Sequence, residues 1–74
     1  MNYLFTAKIC SGCVPVKTLI EEKNYPVQIV SVDTQEGQAL ANRFNVRSLP
    51  TLVLNDTIQY VGTLPCMKAL KERF

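Results

Sequence analysis

The 74-residue chain contains no histidine. Without an imidazole, no Cys–His or Ser–His pair can activate a nucleophile, which removes protease-type covalent catalysis. Charge of one sign is also scarce. Eight Lys and Arg against six Asp and Glu leave a formal charge of +2. The basic residues do not cluster, so nothing resembles a nucleic-acid footprint. No apolar run approaches the roughly 20 residues that cross a bilayer, so no membrane association is expected. Met1 to Ile9 lacks a basic stretch followed by a long apolar one. No secretory signal is therefore expected, and a reducing cytoplasm is the expected compartment. Repeats, low-complexity tracts and linkers are absent too. A single domain spanning residues 1–74, acting as a monomer, is the expectation. At this size folding buries only roughly 60% of the unfolded chain's surface, so the core must be small and layered. With 47% hydrophobic and 19% charged residues, the composition is that of a globular chain.

Periodicity supplies the elements. Tyr3 to Ala7 is aromatic and apolar and reads as a short strand. A helix follows from Ser11 or Cys13 to Lys23, with Val16, Leu19, Ile20 and Lys23 at helical spacing. Pro15 is tolerated only in a first turn, which fixes the helix start near Cys13. Asn24-Tyr-Pro26 ends it. Val27 to Val32 is a β-branched run, hence a second strand. Asp33 with Glu36 three residues later fits a capping box for a helix running to Phe44. Gly37 in its first turn weakens that helix. Thr51–Leu54 and Ile58–Val61 flank Asn55-Asp-Thr57, a hairpin signal. Pro65 opens a last helix whose Met67, Leu70 and Phe74 share a face. The order is β-α-β-α-β-β-α. An early parallel pair and a closing antiparallel hairpin make an α/β fold, with a mixed four-stranded sheet flanked by three helices.

Three cysteines, an odd number, argue against a closed disulfide framework. In a reducing compartment a C-x-x-C pair is catalytic or metal-binding. Cys10-Ser11-Gly12-Cys13 lies between a strand and a helix, the setting of a redox dithiol. A thiolate is the nucleophile in disulfide exchange, and a free thiol has a pKa of about 8.5. Unpaired N–H groups and the positive dipole end of the helix would lower that value at Cys10. Cys13 shares a helical face with Val16 and Ile20 and points inward. Cys10 sits at the cap. Cys10 should therefore attack a substrate disulfide and Cys13 resolve the mixed disulfide. Ser11 and Gly12 are small and leave Cys10 open to a protein substrate, and Lys8 adds positive potential. Cys66 shares a flank with Leu70 and reads as an inert core thiol, with a regulatory or dimer-forming cysteine as the alternative.

Two segments carry a family resemblance. Cys10-Ser-Gly-Cys13 before a helix resembles the active-site turn of thioredoxins and glutaredoxins. Phe44 to Leu54, with Ser48-Leu49-Pro50-Thr51 inside it, resembles the thioredoxin stretch that carries a cis-proline into the third strand. Gly62 after the fourth strand also matches. The resemblance covers nearly the whole chain and implies a thioredoxin fold. It implies that Pro50 is cis and lies beside the two sulfurs, leaving the Leu49 backbone free to pair with a substrate strand. Only about 5–6% of X–Pro bonds are cis, so the proline alone would not suggest it. It implies protein disulfides as substrates, ribonucleotide reductase among them. It also implies recycling by a flavin reductase or by glutathione, with no bound cofactor.

The departures are specific. Ile9 stands where thioredoxins usually place Trp, and Ser11-Gly12 where they place Gly-Pro. No acid occupies the strand before the dithiol, where Leu4 and its neighbours are apolar. Proton removal from Cys13 then rests on water or on the mixed disulfide. Ser48-Leu-Pro50 and Gly62-Thr63 replace the proline motif and Gly-Gly pair of glutaredoxins, so a glutathione site at Lys8 and Thr63 is half present. The nearest pattern is the short redoxin of glutaredoxin size and thioredoxin-like chemistry. Two other functions stay open. One is a small copper or zinc protein using the C-x-x-C pair, although such copper proteins run βαββαβ. The other is a non-catalytic module of the same fold.

Overall fold

A computed structural model describes all 74 residues. Seven elements follow in the expected order: β1 (Tyr3–Thr6), α1 (Cys13–Lys23), β2 (Gln28–Ser31), α2 (Gln35–Arg43), β3 (Thr51–Leu54), β4 (Ile58–Val61) and α3 (Thr63–Arg73). The sheet order is β2-β1-β3-β4. β1 pairs with β2 in parallel, Tyr3 opposite Gln28, while β1–β3 and β3–β4 are antiparallel. This is the thioredoxin fold. No helix is long and apolar enough to cross a membrane.

Alternation along the central strands divides the core in two, because successive side chains point to opposite faces. Leu4, Leu52 and Leu54 join Val16 and Ile20 of α1 and Cys66, Ala69 and Leu70 of α3 on one face. Tyr3, Phe5 and Val53 join Val30 and Ala41 on the other, with Leu40 and Phe44 packed against them. β1 and β3 are buried along their whole length, as strands covered on both faces must be. Tyr60 is half-buried against the first cluster, and its hydroxyl accepts from Arg73 Nε at 3.2 Å.

Turn chemistry explains the joints. Asn24 caps α1 in the left-handed region at φ 53°, which Asn tolerates. Asn55 and Asp56 take φ of 55° and 62° in the β3–β4 hairpin, the conformation such turns demand. Gly62 stands at φ 99°, a backbone that favours glycine, and turns the chain from β4 into α3.

Three expectations are corrected. Thr34, not Asp33, caps α2, its hydroxyl accepting from Gly37 N–H at 2.9 Å. Asp33 is occupied elsewhere: its carboxylate accepts from the Lys8 backbone N–H at 2.6 Å and from the Ser31 hydroxyl. α3 begins at Thr63, two residues before Pro65. The proline still falls within the first turn, where its missing N–H has no helical partner to lose. Phe74 does not share the buried face of Leu70. It is exposed at the helix end and stacks on Tyr25 with ring centroids 5.4 Å apart.

Candidate active site

The C-x-x-C segment forms a tight turn running into α1. Cys13 N–H donates to the Cys10 carbonyl at 3.2 Å, and Val14 N–H to Ser11 at 3.4 Å. The turn's own carbonyls take these two donors, whereas the Ser11 and Gly12 N–H groups, directly after Cys10, form no hydrogen bond within the chain. The positive end of the helix remains beneath the turn. Cys10 and Cys13 are joined as a disulfide with Cα atoms 5.4 Å apart. Their surroundings differ. Cys13 is only 3% exposed, on the α1 face that carries Val16 and Ile20. Cys10 is partly exposed, next to Ile9, which is 96% exposed.

Pro50, the residue before β3, meets this turn. The Leu49–Pro50 bond is cis. A Cβ added to Gly12 would lie 3.7 Å from Pro50 Cδ and 2.8 Å from Thr63 Oγ1, so the three residues converge. The Leu49 N–H and carbonyl form no hydrogen bond within the chain.

Gly62 and Thr63 belong to the scaffold of the site. Gly62 N–H donates to the Pro50 carbonyl at 2.9 Å. The Thr63 hydroxyl donates to the Gly12 carbonyl at 2.8 Å, bridging 51 residues. The start of α3 thus ties down both the dithiol turn and the proline segment. Cys66 lies below, fully buried, its thiol directed at the Tyr60 carbonyl (3.3 Å) and the Pro50 carbonyl (3.7 Å). Burial pushes its pKa up from 9.0 to about 11, opposed by a hydrogen bond from the Leu52 backbone, so the thiol is protonated at neutral pH.

Ser11 is exposed on the turn. The Lys8 backbone is fixed by Asp33, whereas its side chain is exposed and unpaired. A cleft of about 350 Å³ beside the sulfurs is lined by both cysteines, Lys8, Lys17, Ile29 and Ser31, among others. Neither Asp33 as the anchor of the approach loop nor Lys17 was singled out from the sequence. The first was masked by its cap-like spacing to Glu36. The second was detectable, since Lys17 stands four residues after Cys13, on the same side of the helix.

A disulfide on a strand-to-helix turn of a mixed sheet, with a cis-proline against the same turn, defines a thiol–disulfide oxidoreductase. The chain belongs to the thioredoxin family, whose model matches residues 3–71. It is 29% identical over 73 residues to a thioredoxin of Methanocaldococcus jannaschii, covering 93% of this chain and 85% of that one. It is 28% identical to the chloroplastic thioredoxin Y of Oryza sativa, spanning 45% of that longer protein. Among solved structures, the thioredoxin-like protein BC3987 shares the fold over the full length of both chains (TM-score 0.77, 20% identity). The glutaredoxin-like NrdH-redoxin of Escherichia coli is similar over 89% of this chain and 87% of its own (TM-score 0.65, 25% identity).

Proposed function

We propose that the protein reduces protein disulfides, with Cys10 as the attacking and Cys13 as the resolving thiol. The observation that carries this reading is the unequal burial of the pair: an incoming disulfide can reach Cys10, while Cys13 lies beneath it within bonding reach. The Cys10 thiolate attacks one substrate sulfur, forming a Cys10–substrate disulfide and expelling the other substrate sulfur as a thiolate. Cys13, as thiolate, then attacks Cys10 Sγ, closing the Cys10–Cys13 disulfide and releasing the second substrate thiolate. Ser11 and Gly12 leave room above the turn. The free Leu49 backbone beside Pro50 pairs with the substrate segment. Gly62 and Thr63 hold the two sides of the site in register, and Lys8 stands at its rim.

The substrates are protein disulfides, with ribonucleotide reductase as one candidate in a cytoplasmic setting. A flavin-dependent thioredoxin reductase is the favoured source of electrons over glutathione. The Thr63 hydroxyl, one expected glutathione contact, is already committed to Gly12. The structural relative NrdH-redoxin, itself glutaredoxin-like, is described as having a thioredoxin-like activity profile. The metal-binding alternative is disfavoured by the element order, β-α-β-α-β-β-α rather than the βαββαβ of small copper proteins.

The test is turnover of the oxidised protein with NADPH and either thioredoxin reductase or glutathione plus its reductase. Cys10→Ser should abolish exchange, and Cys13→Ser should accumulate a mixed disulfide with substrate. Absence of exchange with both systems, in a folded protein, overturns the reading.

A further inference from the structure

The cleft beside the disulfide has an asymmetric charge. Thr6 of β1, the following Ala7, and Ile29 and Ser31 of β2 line it without charge, whereas Lys8 and Lys17 bring two ammonium groups. Neither lysine forms an ion pair; the chain's ion pairs are Met1–Asp56 and Lys68–Glu72. The acids near these lysines do not neutralise them. Asp33 accepts from the Lys8 backbone and from Ser31, not from an ammonium. Glu21, one turn beyond Lys17 on α1, makes no ion pair with it. From the α3 side the group at the turn is the uncharged Thr63, bonded to Gly12. No carboxylate lines the cleft, so no side-chain base is available there to take a proton from Cys13.

Cys13 needs help. It is almost fully buried, and desolvation disfavours a thiolate. Lys17 lies one helical turn further along α1, on the same side as Cys13, and lines the same cleft. We propose that Lys17 is a positioning residue for the second exchange step, its ammonium favouring the Cys13 thiolate that attacks the Cys10 mixed disulfide. The proton leaves Cys13 to water in the cleft, the Cys13–Cys10 bond forms, and the Cys10–substrate bond breaks with the electron pair departing on the substrate thiolate. Lys8, on the approach loop, is the lesser contributor, because it precedes Cys10 and does not share the helical side of Cys13. The proposal rests on Cys10 attacking first and Cys13 resolving.

The test uses the reduced full chain and the uncharged disulfide 4,4′-dithiodipyridine, whose thiopyridone product absorbs in the near ultraviolet. The first phase reports attack by Cys10 and the second reports resolution by Cys13; Cys13→Ser should show the first phase alone. In Lys17→Gln the pH inflection of the second phase should rise by about half a unit, and its rate at neutral pH should fall about threefold. The first phase should change less. Lys17→Arg, which keeps the charge, should restore both values, and the difference should shrink in high salt. An unchanged second-phase inflection in Lys17→Gln, or a failure of Lys17→Arg to restore it, overturns the assignment while leaving the oxidoreductase reading intact. A wild-type protein with no second phase overturns that reading, and this inference with it.

Discussion

Gly12 and Thr63 should be energetically coupled although 51 residues separate them. At φ −70° and ψ −17° the Gly12 backbone is open to any L-residue, so conformation does not demand glycine there. The obstacle is one atom: a Cβ would sit 2.8 Å from Thr63 Oγ1, which donates to the Gly12 carbonyl. Gly12→Ala must therefore swing the hydroxyl away and lose its bond, costing about 1 kcal/mol. The reduced freedom of the unfolded chain returns about 0.7 kcal/mol, leaving a net destabilisation of about 0.3 kcal/mol. Thr63→Ala alone loses the same bond, costing about 1 kcal/mol. In the double variant the bond is lost only once, so the total is again about 0.3 kcal/mol rather than the additive 1.3, a coupling of about −1 kcal/mol. Urea unfolding of the four oxidised proteins, with unchanged slopes, measures this directly. In Tm the coupling corresponds to about 4–8 °C for a domain of this size. Additivity to within about 0.3 kcal/mol would refute the clip between α3 and the dithiol turn.

Gly37→Ala should destabilise the fold by more than about 2 kcal/mol, although helix propensity alone favours alanine by about 1 kcal/mol. The added Cβ would overlap the Ser31 carbonyl where α2 crosses the end of β2, and thermal unfolding gives the sign. Leu70→Ala, which empties a fully buried position between α3 and the sheet, should cost about 2–5 kcal/mol by denaturant unfolding. Cys66 makes stability pH-dependent on the alkaline side. Its folded pKa of about 11 exceeds the ordinary 9.0, so the unfolded chain releases this proton first and stability falls as pH rises from 9 to 11. Comparing wild type with Cys66→Ala isolates the component, expected at about 2 kcal/mol by pH 11; parallel stability curves would contradict it.

The fold was legible because local and global signals agree. Pro15 leaves only one start for α1, and the strand periods place Leu4, Leu52 and Leu54 on one face and Phe5 and Val53 on the other. The misreadings share a cause: a residue with a good local use was taken by a distant partner. Asp33 has the spacing of a cap, yet the Lys8 N–H, 25 positions earlier in the chain, holds its carboxylate and leaves the cap to Thr34. Pro65 has the chemistry of a helix start. Gly62, with a backbone that favours glycine and an N–H bonded to Pro50, instead sets α3 running from Thr63.

The candidate site divides along the same line. Cys10, Cys13 and Pro50 were legible because their chemistry is carried by the residues themselves and by a family pattern. The contacts from Gly62 and Thr63 to Pro50 and Gly12 were not, because they exist only once α3 is docked on the sheet. That difference bears on how such a site tolerates change. Ser11, exposed and making no side-chain bond, is free to vary and to adjust the environment of the sulfurs. At Gly12 a side chain must displace the Thr63 hydroxyl, which turns a gain of about 0.7 kcal/mol into a net cost of about 0.3 kcal/mol. Once position 63 lacks its hydroxyl, the same side chain at position 12 stabilises by about 0.7 kcal/mol instead, so sequence changes in the dithiol turn and at the start of α3 should go together.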